Sequence, residues 1–240
     1  MPEGYVRLSE LAPDIAQDIR YARNFNFTEG PVPGYERGEC ILTSATAAAL
    51  IRVEARLANN GYGLVVFDCY RPVRAVEFFA VWANQPDDDL QPPKDIEVAG
   101  DTPPDQPNAA KIFFPGLTRA DLIPKGYIAK KSGHSVGHTV DVGLRLAGAE
   151  PSLPDFASAA PCTANSSIRV LETGLDLGTS FDCFSPLSAT TAPVSNEARK
   201  NRKILADAMN AEGFRGYDAE WWHFRNSLDP AKAPQNFVVE

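Results

Sequence analysis

The stretch Ser132-Gly133-His134-Ser135-Val136-Gly137-His138-Thr139-Val140-Asp141 constrains this chain most, because it ends inside an alternating run. From Thr139 to Leu146 the pattern reads as a strand. Val140, Val142, Leu144 and Leu146 lie on one side, and Thr139, Asp141, Gly143 and Arg145 on the other. A carboxylate opposite an apolar row needs a cleft or a set of partners on its own face, since burying it alone is costly. His134 stands seven residues before it. Far along the chain comes a second cluster, Glu220-Trp221-Trp222-His223-Phe224.

Together the two clusters hold two imidazoles, one carboxylate and a spare carboxylate. Three N/O ligands plus a free carboxylate to move protons is the composition of a catalytic zinc site. A structural zinc site would be richer in cysteine. Each piece has a plainer reading: His134 with Asp141 as a hydrogen-bonded pair, His223 as a packed histidine among aromatics. The combination favours a metal, because the chain has only three histidines and two of them fall beside carboxylates.

Two local problems accompany this reading. Glu220 and His223 are three apart, so a regular strand points them to opposite faces; they converge only at a strand end or a bulge. His134-x3-His138 also has the spacing of a helical zinc pair. Gly133, Gly137 and the β-branched Val136, Thr139 and Val140 argue against a helix there, so His138 reads as a supporting or exposed group.

Around these clusters the pattern is α+β, with paired helices about strands of non-alternating order. Residues 15–21 suggest a strand. Residues 43–60 form a helix with Ser44 as its cap, Leu50, Val53 and Leu57 on its buried face and Asn60-Gly61 as its stop. Residues 63–68 read as a buried strand. Pro72 begins a helix that runs to Trp82. Residues 86–108 are a proline- and aspartate-rich surface excursion within a single domain spanning 1–240, and Asp87-Asp88-Asp89 is a solvated run without calcium-loop spacing. A short helical turn is expected near 119–122, and loops at 147–167 and 185–194, the latter flexible. Ser195 caps a last long helix that stops at Gly213, and a turn and strand over 214–225 end the fold.

At 240 residues and 44% hydrophobic content, the chain can bury a full core. A net charge of −8 argues against a nucleic-acid or anionic-membrane partner. No run is long and apolar enough to span a bilayer, and the first residues lack a signal-peptide pattern. A cytoplasmic location is expected, or a periplasmic one if the chain starts at a processed end. The four cysteines, Cys40, Cys69, Cys162 and Cys183, show no C-x-x-C spacing and read as buried free thiols, a disulfide being open only in an oxidising compartment. Nothing in the pattern bears on oligomeric state.

Ser132-x-His134-x-x-Gly137-x-x-x-Asp141 followed by Glu220-Trp221-Trp222-His223-Phe224 resembles the D-alanyl-D-alanine dipeptidases, a family of zinc peptidases. Tyr21 with residues 24–30, Asp68-x-Tyr70-Arg71-Pro72 and Gly178-Thr179-Ser180-Phe181-Asp182 resemble further segments of that family, in the same order. The resemblance implies the fold of the Hedgehog/D,D-peptidase group, an antiparallel central sheet flanked by helices. It also implies one Zn2+ on His134, Asp141 and His223, Glu220 as general base and acid, and Arg71 as the arginine that meets the transition-state oxyanion. The implied substrate is a small dipeptide of cell-wall type, D-Ala-D-Ala. A D,D-carboxypeptidase on longer stem peptides and a non-catalytic zinc-binding domain are the alternatives. A free dipeptide brings an ammonium group that needs an acceptor, for which Asp182 is the candidate, with Tyr21 as its neighbour and Ser132 as a further substrate contact. Gly133, Val136 and Ala189 depart from the residues usual in the family, and these departures bear on the substrate pocket.

Overall fold

The run 139–146 forms the middle strand of a five-stranded sheet. The computed structural model describes residues 1–85, 109–230 and 233–240. In chain order the strands are β1 (Tyr5–Arg7), β2 (Ala16–Gln17), β3 (Ile41–Thr43), β4 (Tyr62–Asp68), β5 (Thr139–Leu146), β6 (Phe214–Tyr217) and β7 (Glu220–Asn226). The helices are α1 (Leu8–Leu11), α2 (Ser44–Ala58), α3 (Val73–Ala83), α4 (Ala109–Phe113), α5 (Arg119–Leu122) and α6 (Asn196–Ala211). The main sheet has the order β2-β4-β5-β7-β6, and β1 pairs separately with β3.

The expected antiparallel sheet is mixed. β4, β5, β7 and β6 are antiparallel neighbours, but the edge strand β2 runs parallel to β4, Ala16 opposite Val65 and Gln17 opposite Val66. Only two residues of the expected strand at 15–21 join the ladder, and Arg20–Ala22 turns instead into a 3₁₀ helix.

Helix α2 packs against β4 and against α6. Leu50, Val53 and Leu57 are buried, as their helical spacing predicts. The cap sits one residue earlier than expected: the Thr43 hydroxyl accepts from the Thr46 amide, and Thr43 is also bonded to Asp229. Ser195 caps α6 by accepting from the Ala198 amide. The segment expected to flex at 185–194 is anchored instead. Pro186–Ser188 is a 3₁₀ turn, the Ser188 hydroxyl donates to the Cys183 carbonyl, and Arg202 donates to the Leu187 and Ala189 carbonyls. The excursion at 86–108 lies outside the described residues.

Both faces of β4 and β5 are covered, with one exception: Leu146, expected on the apolar face, is half exposed where the strand leaves the sheet. On the Asp141 face an aromatic layer replaces aliphatic core. Phe67 stacks on Phe181 at 4.6 Å, and Phe181 meets the edge of Trp222.

The cysteines are not free thiols. Cys40–Cys69 and Cys162–Cys183 are disulfides, with Cα atoms 5.2 and 5.5 Å apart. Each pair joins segments that only the folded chain brings together, so spacing along the sequence carries no sign of it.

Candidate metal centre and substrate cleft

Strand register builds the centre of the site. Asp68 on β4 pairs with Asp141 on β5, and Asp141 pairs with His223 on β7, so the three side chains form one row across three strands. An irregularity between Val66 and Asp68 brings Asp68 into that row. His134 reaches it from the turn before β5. Gly133–Val136 is a 3₁₀ turn capped by Ser132, whose hydroxyl accepts from the His134 amide. Gly137 ends the turn at φ 82°, where an added Cβ would lie 2.5 Å from the Tyr5 ring. This glycine lets the chain fold back so that His134 faces Asp141.

Three donor atoms converge. His134 Nε2 lies 3.4 Å from Asp141 Oδ1 and 3.3 Å from His223 Nδ1, and His223 Nδ1 lies 3.1 Å from Asp141 Oδ1. Ligand atoms at zinc distances in a tetrahedral set stand about 3.3 Å apart, so the three separations suit one ion. Asp141 Oδ1 is buried and accepts no hydrogen bond, which is costly unless a cation completes it. His134 Nδ1–H donates to the Cys69 carbonyl at 2.7 Å; a carbonyl can only accept, so the proton sits on Nδ1 and the Nε2 lone pair faces the other donors. Burial pushes the Asp141 carboxyl up, but the His134 and His223 imidazoles outweigh it and hold it below the usual carboxylate range. Two imidazole nitrogens and an anionic oxygen fit zinc.

Glu220 joins this group because the hairpin is irregular. Gly216 pairs with Phe224, but the next β6 residue, Tyr217, pairs with Glu220. The three residues between Glu220 and Phe224 therefore break the two-residue alternation, and Glu220 Oε2 comes within 3.5 Å of His223 Nδ1. Burial pushes the Glu220 carboxyl up to about 7, with His223 pulling it down and Asp141 adding to the rise. A group with a pKa near neutrality can both take and give a proton.

Arg71 leaves β4 just ahead of α3. Its Nε and Nη2 both reach Asp68 Oδ2, at 2.9 and 2.8 Å, and Nη2 lies 3.7 Å from Asp141. The guanidinium sits over the Tyr21 ring at 4.9 Å. Asp68 is itself held by the Tyr35 hydroxyl at 2.7 Å. Arg71 is thus held on one side by a salt bridge to Asp68, and its side chain also borders the cavity.

A cavity of about 240 Å³ opens over these groups, lined also by Tyr21, Phe27, Tyr127, Lys131, Asp182 and Tyr217. Asp182 is buried at φ 57°, and its Oδ2 accepts from the Tyr21 hydroxyl at 2.8 Å. Burial, reinforced by the Asp141 charge, pushes its carboxyl well above the usual range. Ser132 also lines the cavity.

Nearly the whole chain matches one family of enzymes. The family model described as D-ala-D-ala dipeptidase, of the M15 peptidases, matches residues 1–152 and 149–238. The chain belongs to the D-Ala-D-Ala dipeptidase family. It is 34% identical over 233 residues to the D-alanyl-D-alanine dipeptidase of Enterococcus faecalis, which covers 96% of this chain and 95% of that protein. The dipeptidase of Enterococcus faecium is 32% identical, covering 93% and 92%. That of Streptomyces coelicolor is 31% identical, covering 96% and 95%. Membership makes the chain a peptidase of a metallopeptidase family, in agreement with the His134, Asp141 and His223 group.

Within this dipeptidase-family fold, His134, Asp141, His223, Glu220 and Arg71 gather at one cavity, and Asp182 and Tyr21 pair at its wall. His138 does not join them. It is buried, with Nδ1 3.1 Å from the Thr139 hydroxyl, so the exposed reading is excluded. Sequence reading missed three groups. Asp68 holds Arg71, and its position three residues before Arg71 is the signal available in the sequence. The Cys69 carbonyl orients His134 and leaves no trace in sequence. Lys131 lines the cavity with no carboxylate paired to it among the described residues.

Proposed function

We propose that this protein is a zinc dipeptidase that hydrolyses free D-alanyl-D-alanine, with one zinc per chain held by His134 Nε2, Asp141 Oδ1 and His223 Nδ1. The observation that carries this reading is the convergence of those three donors, one of them a buried orphan oxygen, beside a spare carboxylate in a small cavity. The names of the relatives support the substrate.

When bound, zinc supplies a Lewis acid that polarises the scissile carbonyl and makes a water more acidic. Glu220 takes the proton from that water and delivers it to the leaving amine nitrogen. Arg71, fixed on one side by Asp68, offers its remaining N–H donors to the oxyanion as charge develops there. At the cavity wall, Asp182 with Tyr21 accepts the ammonium of the dipeptide. Lys131 meets the carboxylate at the other end, and Ser132, which accepts from the His134 amide and keeps its own hydroxyl proton to donate, is a further substrate contact. A cavity of this size suits a dipeptide better than an extended stem peptide.

Chelation tests the metal part of the reading. The purified protein should carry about one zinc per chain, lose D-Ala-D-Ala hydrolysis on removal of zinc and regain it on re-addition. Full activity after complete removal of metal would refute it.

A further inference from the structure

Asp68, at the end of β4, and the four residues between β4 and α3 hold the donor group from behind. Asp68 fixes Arg71 and comes within 3.4 Å of His134 Nδ1. The Cys69 carbonyl accepts the hydrogen bond from His134 Nδ1–H. The Arg71 amide donates to the His134 carbonyl at 3.3 Å, so both ring and backbone of His134 hang from this segment.

The segment is in turn tied to a separate layer of the molecule. The Tyr70 amide donates to the Ile41 carbonyl at 2.9 Å, and Cys69 is joined to Cys40, which precedes β3. Cys40 is anchored on both sides: its amide donates to Gln17 Oε1, and its carbonyl accepts from the Leu8 amide. Both cysteines are fully buried.

We infer that the Cys40–Cys69 disulfide is a positioning device for the metal centre, holding the Cys69 carbonyl against His134 and Arg71 in its place. This rests on the zinc reading above. The other disulfide serves as the internal control. Cys162–Cys183 closes a loop of similar length, 21 residues apart against 29, so losing either costs similar chain entropy. Yet Cys183 adjoins Asp182, not a proposed metal ligand.

The test compares zinc affinity, by competition with a fluorescent chelator, for the native protein, C40S/C69S and C162S/C183S, with folding checked by circular dichroism. Loss of a group that orients a histidine ligand lowers metal affinity by about 10- to 100-fold. That loss is expected for C40S/C69S, with kcat falling by at least as much, while C162S/C183S keeps native zinc affinity. Should C40S/C69S fail to fold, the native protein is reduced in the cold with a water-soluble trialkylphosphine. The phosphine is oxidised to its oxide with oxygen from water, and the S–S bond opens to two thiols. Zinc affinity is then expected to fall in step with reduction of Cys40 and Cys69, as mapped by alkylation. Unchanged affinity in folded C40S/C69S or in the reduced protein overturns the inference, as does an equal loss in both double variants. A native protein that binds no zinc at all would instead refute the zinc reading beneath it.

Discussion

Asp141 and His223 face each other as register partners on neighbouring strands, with Oδ1 of one 3.1 Å from Nδ1 of the other. The sheet ladder, not a loop, therefore sets half of the donor geometry, and a site on paired strands is more rigid than one on loops. His134 completes it from a turn pinned by a glycine and a serine cap.

Glu220 and His223 are neighbours with different proposed roles, and substitution separates them. Glu220→Gln keeps the volume and loses the proton acceptor, so zinc should stay bound while kcat falls by about 10² or more. His223→Ala should lose the metal. Zinc analysis of both variants checks this, and equal loss of zinc would make Glu220 a ligand instead.

Arg71→Lys keeps a charge but cannot make the two bonds to Asp68 and still present donors to the cleft. The expected result is a fall in kcat larger than the rise in KM. A pure KM effect would place Arg71 in ground-state binding. Lower stability with native kinetics would leave it a salt bridge alone.

Much of this was readable in the sequence because it rests on periodicity and residue type. Strands β4 and β5 follow from their apolar patterns, and α2 and α6 from helical spacing and capping residues. What escaped depends on contacts between distant segments. β2 is two residues long and has no period to read, so its parallel pairing was invisible. The register shift at Gly216 and Tyr217 settles how Glu220 meets His223, and no residue type announces it. The disulfides and the Cys69 carbonyl are likewise products of the assembled fold.

Asp182 should cost the fold stability in exchange for binding. Its folded-state pKa is raised above the ordinary 3.8, so across that window the folded chain holds a proton that the unfolded chain has lost. Stability contributed by this group therefore falls as pH rises through the window. Asp182→Asn keeps an acceptor for Tyr21 and removes that fall. In zinc-free protein, chemical denaturation should show the variant close to the parent near pH 4 and more stable at neutral pH, by on the order of 1–2 kcal/mol, the scale of a poorly compensated buried polar group. A margin that does not grow with pH would contradict the assignment.

Lys131 lines the cleft with no carboxylate partner among the described residues, so Lys131→Gln should raise KM for D-Ala-D-Ala severalfold, on the order of 1 kcal/mol for a partly exposed charge pair. The C-terminal amide of the dipeptide lacks the carboxylate, and its KM should not move. The same rise for both substrates would remove Lys131 from recognition.

In the proposed reaction this cavity hydrolyses a free dipeptide by holding its ammonium group at Asp182 and Tyr21. The most direct measurement is kcat/KM of the zinc-loaded protein for D-Ala-D-Ala beside that for N-acetyl-D-Ala-D-Ala. Hydrolysis of the free dipeptide with little or none of the acetylated one is the predicted result. Equal cleavage of the two, or cleavage of neither, would contradict it.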